Sequence, residues 1–121
     1  MRIQKLSGGL ANQTFQYIFL RYGEIHDPSK DIWYLDDSDY FINDIYNGYE
    51  LKSVFGVTPN LLSEAFDKDV WDEIIRLKKE GYSVPQIIKD FGVDICMYAE
   101  TDEYLENNGF DGEVYLSLIH I

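Results

Sequence analysis

The chain is poor in the residues that build metal and disulfide sites. One cysteine, Cys96, excludes an intrachain disulfide and a cysteine-based zinc site. The two histidines, His26 and His120, lie far apart in sequence. Basic side chains are scarce, 10 against 22 acidic, which leaves a net charge of −12 and only three arginines, none adjacent to another. Such a balance argues against a general nucleic-acid binder, which needs clustered Lys and Arg for phosphate. It argues equally against docking on an anionic membrane face. No run approaches the roughly 20 apolar residues that span a bilayer. No signal-peptide pattern follows Met1-Arg2-Ile3-Gln4-Lys5-Leu6. The cytoplasm is the expected compartment, with membrane association left open for intact homologues.

What the 121 residues do contain is enough apolar material for a core. Hydrophobic residues make up 45%, too many for a disordered chain. No repeat, low-complexity block or linker divides the chain, so it reads as one domain or part of one.

The apolar period gives the element order. Arg2 to Leu6 reads as a strand and Ser7-Gly8-Gly9-Leu10-Ala11 as a glycine turn. From Asn12, the residues Phe15, Ile18, Phe19 and Tyr22 mark one face of a helix that stops near His26, before Asp27-Pro28-Ser29. Asp31 to Leu35 reads as a second strand. Strand, tight turn, helix and strand are the grammar of a parallel α/β unit.

Asp36 to Gly56 reads as loop with short turns packed on the sheet, and Thr58-Pro59 as the start of a short helix. Asp67 to Glu80 is a stronger helix, with Val70, Trp71, Ile74 and Leu77 as its stripe and Gly81 as its stop. Ser83-Val84-Pro85-Gln86 fits a capping box opening a helix with Ile87, Ile88 and Phe91, closed by Gly92. Val93 to Ala99 reads as a buried strand, with Cys96 as a small core hydrophobe.

The most informative stretch is Leu6-Ser7-Gly8-Gly9-Leu10-Ala11-Asn12-Gln13-Thr14-Phe15-Gln16-Tyr17. Two adjacent glycines allow a sharp turn and a close backbone approach to a ligand. The following helix aims free N–H groups and a partial positive charge at the same space. Asn12 and Gln13 add side-chain donors that suit phosphate oxygens or sugar hydroxyls. On pattern alone, a structural turn with Asn12 as helix cap accounts for the same residues. The string is neither a dinucleotide fingerprint nor a phosphate-binding loop with its lysine.

The string as a whole resembles the N-terminal hallmark of the α-1,2-fucosyltransferases of glycosyltransferase family 11. Gly8, Gly9, Leu10, Asn12, Gln13, Phe15, Gln16 and Tyr17 match that family's S/M-G-G-L-G-N-Q-M-F-Q-Y position by position. A second block, Tyr34-Leu35-Asp36 followed by Asn47-Gly48-Tyr49-Glu50-Leu51 and Val54-Phe55, is similar to the family's later N-G-[YF]-E-L…-F. The departures are Ala11 for glycine and Thr14 for methionine. A positive φ at Ala11 would strain it by roughly 1–2 kcal/mol.

The resemblance implies an α/β fold, the N-terminal Rossmann-like half of a GT-B type glycosyltransferase. It implies an inverting enzyme without metal or other cofactor. Such an enzyme moves L-fucose from GDP-fucose to the 2-hydroxyl of a galactose in a glycan acceptor. Gly8, Gly9, Asn12 and Gln13 would then lie at the substrate cleft, near donor phosphates or acceptor, and no catalytic residue is named. The family's donor half carries H-x-R-R-x-D, and this chain has no such string. It therefore reads as a fragment that lacks its C-terminal half, inactive by itself and exposing apolar surface. Leu116 to Ile121 reads as the translation of a transposon end used in sequencing libraries, so residues 1–115 are the expected N-terminal domain and 116–121 a non-native tail.

Other readings compete. A stand-alone module binding a glycan or sugar nucleotide without catalysis is the principal alternative. Asp37-Ser38-Asp39 is a D-x-D of the kind that holds a metal–nucleotide in other glycosyltransferases, and Asp67-Lys68-Asp69 repeats the spacing by chance. Leu77 to Val93 has the outline of a helix-turn-helix, but an acidic, strand-like segment follows where a recognition helix belongs. Tyr40, Phe41, Tyr46 and Tyr49 suit core packing, with sugar stacking open for Tyr49. Asp36, at a strand end, is the nearest candidate general base.

Overall fold

A computed structural model describes residues 1–29, 31–42 and 48–99. Among them, three short parallel strands and five α-helices form a mixed α/β fold. The strands are β1 (Arg2–Lys5), β2 (Trp33–Asp36) and β3 (Met97–Ala99), in the order β2-β1-β3. β1 pairs with both neighbours, Ile3 lying opposite Tyr34 on one side and Tyr98 on the other. Helix α1 (Leu10–His26) is the crossover from β1 to β2. The chain then returns to the far side of β1 through α2 (Leu51–Phe55), α3 (Leu62–Ala65), α4 (Lys68–Lys79) and α5 (Val84–Asp90).

Side-chain alternation along the strands splits the core into two layers. Ile3 faces Trp71, Ile74 and Ile75 of α4 and Val84, Ile87 and Ile88 of α5, with Tyr34 and Tyr98 packed alongside. Trp33, Leu35 and Ala99 point to the other face, where Leu6, Phe19, Leu20 and Leu51 complete the second layer. A parallel sheet is stable when both faces are covered, and this chain covers them with helices from opposite sides. The outer edge of β2 is met by Leu61, in a parallel bridge to Leu35, with the Leu35 N–H donating to the Asn60 carbonyl at 2.8 Å.

Most expected elements are present, with informative exceptions. The buried stripe of α1 is Gln13, Gln16, Phe19 and Leu20, while Phe15, Ile18 and Tyr22 are only half-buried. The helix is rotated from its apolar period because two glutamines take the inward positions near its start. The segment 36–56, expected as loop with short turns, has such a turn at Ser38–Phe41 and, beyond the expectation, helix α2, which buries Leu51. Thr58-Pro59 does not start a helix; the chain stays extended until α3, because residues 60–61 run along β2.

Helix α4 runs from Lys68 to Lys79 with Trp71, Ile74 and Ile75 buried, Val70 and Leu77 packing at the margin. Gly81 follows at φ +107°, a conformation that favours glycine. In α5 the Ser83 hydroxyl accepts from the Gln86 N–H at 3.4 Å, and Pro85 sits in the first turn. Phe91, expected on the buried stripe, is exposed at the C-cap. β3 is only three residues long. Cys96 lies before it and is exposed, because the amino ends of the strands open to solvent there.

Two helices followed by a strand paired to β1 make α4 and α5 one layer of an α/β sheet, and the helix-turn-helix outline ends in β3. No described helix is long and apolar enough to cross a membrane. Residues 100–121, including the expected Leu116–Ile121 tail, lie outside the described residues, as do Tyr46 and Asn47.

Candidate functional site

The four candidate residues lie together where β1 runs into α1. In open α/β sheets this carboxyl end of the strands is where ligands bind, and β1 is the strand from which the chain departs in both directions. Gly8 carries φ +81°, which supplies the sharp turn that the sequence requires. Gly9 is the N-cap of α1, with no side-chain cap bond, so the helix starts two residues earlier than Asn12. Ala11 is inside the helix. The strain expected for a positive φ at that position therefore does not arise, since the left-handed residue is Gly8.

The four side chains and backbones have different surroundings. Asn12 is exposed and lies over Gly8; a Cβ added to Gly8 would come within 2.6 Å of Asn12 Nδ2. Gly8 itself is buried under that roof and Gly9 is half-buried. Gln13 is fully buried. Its Nε2 donates to the carbonyls of Gly8 at 3.0 Å and Gly48 at 2.9 Å, and its Oε1 accepts from the Glu50 N–H at 2.9 Å. Both amide hydrogens of Gln13 are thus held by backbone. Its place is to shape the loop, and Asn12 is the member whose side chain faces outward.

Further bonds stiffen the turn. The Tyr40 hydroxyl donates to the Gly8 carbonyl at 2.8 Å. Gln16 Oε1 accepts from the Ser7 N–H at 2.9 Å. Neither Gln16 nor Tyr40 was singled out by sequence as part of the turn. The available signal was a pair of glutamines at i and i+3 on a stripe otherwise apolar.

Beside the turn, the end of β2 buries two adjacent carboxylates. Asp36 accepts from the Ser38 N–H at 3.0 Å and from the Tyr98 hydroxyl at 3.0 Å. Asp37 accepts from the Ser63 N–H at 3.1 Å and the Ser63 hydroxyl at 2.6 Å. Burial pushes the Asp37 carboxyl above its ordinary value, against the pull of Ser63 and with a smaller push from Asp36. Asp39 instead pairs with Lys78, whose Nζ also donates to the Ser38 hydroxyl at 2.6 Å. The D-x-D carboxylates are therefore drawn to opposite partners, one to α3 and one to α4. Among the described residues no group of three His, Cys, Asp or Glu side chains converges on one point. Asp36, the nearest candidate base, is buried and tied into the strand ends.

Tyr49 is half-buried against the α1 layer, and burial raises its phenol above the ordinary range. Phe41 packs edge-on to Trp71 with ring centroids 5.4 Å apart. Both serve packing on their described contacts.

Comparison with protein-family models, with curated proteins and with solved structures finds no match to this chain. The resemblance to glycosyltransferase family 11 therefore stands on the quoted residues alone.

Proposed function

We propose that this chain is the N-terminal, Rossmann-like part of a GT-B type α-1,2-fucosyltransferase, transferring L-fucose from GDP-fucose to the 2-hydroxyl of a terminal galactose. One observation carries the reading. The two blocks on which the resemblance rests, residues 6–17 and 34–55, meet in space through Gln13, which binds the backbone of Gly48 and Glu50. The contact keeps both blocks at one end of the sheet, where a single cleft could use them.

In this reading Gly8, Gly9 and Gln13 hold the turn, and Asn12 with the first N–H groups of α1 faces the donor diphosphate or the acceptor. A helix N-terminus favours an anion locally even in a chain of net charge −12. The leaving diphosphate then gains its remaining positive charge from arginines on a C-terminal half bearing H-x-R-R-x-D. No metal or cofactor takes part.

The test is to read the source gene through the codon for Tyr115 and to assay the extended protein with GDP-fucose and lactose in EDTA. The expected result is a continuation carrying H-x-R-R-x-D and a fucosylated product. Asn12→Ala should lower kcat/KM at least about tenfold, as for the loss of one oriented donor, with unchanged thermal stability. A folded extended protein that makes no fucosylated product from galactose-terminated acceptors would overturn it.

A further inference from the structure

A strap of four residues, 60–63, covers the outer edge of β2. The Leu35 N–H donates to the Asn60 carbonyl at 2.8 Å, and Leu61 forms the parallel bridge to Leu35. Asn60 Nδ2 donates to the Trp33 carbonyl at 3.4 Å. Leu62 is fully buried in the layer of Ile3 and Ile74. Ser63 closes the strap on Asp37, its N–H reaching Oδ1 at 3.1 Å and its hydroxyl lying 2.6 Å from Oδ2.

The last tie differs from the others because it ends on a group that titrates. Asp37 is 4% exposed, and Asp36 beside it is 1% exposed. Among the described residues no cation stands within ion-pair distance of either carboxyl. Lys78 of α4 reaches the neighbouring Ser38, but Asp39 holds it. Lys5 of β1 stands opposite Asp36 in register without pairing to it. The groups that face Asp37 from the other packed elements are Glu64 of α3 and Tyr49, with Tyr17 of α1 behind Tyr49. None of these supplies positive charge.

The contacts to Ser63 survive neutralisation of Asp37. With a proton on Oδ2, the carboxyl donates to the Ser63 hydroxyl oxygen while Oδ1 still accepts the N–H. A carboxylate in the same place loses its water and meets the field of Asp36. That cost is relieved when Ser63 moves off and water reaches Asp37.

We propose that residues 60–63 are a pH-sensitive strap, held on the edge of β2 by protonated Asp37 and released by ionised Asp37. Burial first, then Asp36, raises Asp37 above its ordinary 3.8 in the closed arrangement, against the pull of Ser63. The hold is therefore complete below the ordinary value and is lost as pH rises through the raised one. Release bares the N–H and C=O groups of an edge strand, the kind of edge that pairs with another chain. The inference draws on no enzymatic activity and stands apart from the transferase reading.

The experiment is amide hydrogen exchange on the full chain from pH 4 to pH 8, with each rate divided by the intrinsic rate at that pH. The Leu35 N–H reports the strap, because its acceptor is the Asn60 carbonyl. The Ile75 N–H, within α4, reports opening of the core. The expected result is a loss of Leu35 protection with rising pH that is steeper than any loss at Ile75. Asp37→Asn, which keeps an acceptor for the Ser63 N–H and a donor for its hydroxyl, should flatten the Leu35 curve. Glu64→Gln, at an exposed position, should leave the loss in place. A Leu35 curve that parallels Ile75, a loss that persists in Asp37→Asn, or a loss abolished by Glu64→Gln would overturn the proposal. The comparison of Leu35 with Ile75 decides it in the unsubstituted chain alone.

Discussion

Gln13 and Gly48 stand 35 residues apart and are joined by a 2.9 Å hydrogen bond from the buried amide to the backbone carbonyl. The same side chain serves Gly8 and Glu50, so one residue welds the turn after β1 to the segment before α2. Gln13→Ala would leave two carbonyls and one N–H without their partner. The expected loss is roughly 2–4 kcal/mol, since each unsatisfied buried group costs about 1–3 kcal/mol and water recovers part. Gln13→Glu should be worse at neutral pH than at pH 4, because a carboxylate would face two carbonyl oxygens. Urea unfolding at both pH values checks the pair.

Gly23 illustrates why a helix interior can require glycine. A Cβ there would lie 2.4–2.8 Å from the Trp33 ring. Gly to Ala in a helix normally gains about 1 kcal/mol. Here overpacking costs about 1–3 kcal/mol, so Gly23→Ala should destabilise or at best break even. Gly81→Ala should also destabilise, but for a different reason, since its Cβ has open space and only its φ of +107° is unfavourable. The unfolding midpoints, together with Trp33 fluorescence disturbed only in the Gly23 variant, separate the two causes.

Asp37 and Asp27 should respond to pH in opposite senses. Burial raises the folded-state value of Asp37 above its unfolded 3.8. Its contribution is therefore complete below about pH 4 and is lost as pH rises through the folded value. Asp37→Asn can keep a bond to Ser63 and sheds the buried charge, so it should be stabilising or neutral at pH 7 relative to its effect at pH 3.5. Asp27 is lowered, first by the Ser29 N–H and also by Trp33 and Arg2. Its contribution is present at neutral pH and is lost on acidification through the folded value, so Asp27→Asn should destabilise at pH 7 and progressively less as the pH falls below 3.8. Thermal melts of the two variants across pH 3–7 should diverge in these directions.

Ile74 and Ile88 are fully buried in the layer between β1 and helices α4 and α5. Replacing either by alanine should cost about 2–5 kcal/mol. Ile87→Val in the same layer should cost about 0.5–1.5 kcal/mol. Chemical unfolding with coincident fluorescence and circular dichroism measures both.

The α/β order was legible because its signals are local. Glycine at positions 8, 81 and 92 punctuates the chain where the backbone turns left-handed. The stripe of α4 and the Ser83 cap follow from spacing within a few residues. The candidate turn was legible too, as a string from Leu6 to Tyr17. What that string could not show was how its polar residues divide: Asn12 outward, Gln13 inward. Periodicity assigned the inner face of α1 to Phe15, Ile18, Phe19 and Tyr22. It missed the two glutamines because side-chain polarity does not show the partners they find, the Gly48 carbonyl for Gln13 and the Ser7 N–H for Gln16.

By itself, then, the sequence determined a parallel α/β unit, its strand and helix periods, its charge and the string that resembles a fucosyltransferase. These depend on backbone preference and on apolar spacing within one element. Only the tertiary structure decided that β1 is flanked on both sides, that Gln13 ties two distant segments, that Asp37 is buried against Ser63, and that Asn60 and Leu61 cover the edge of β2. Those are pairings between elements. A buried polar group is stable only beside a specific partner, and that partner is set by how the strands register and the helices cross, not by its neighbours along the chain.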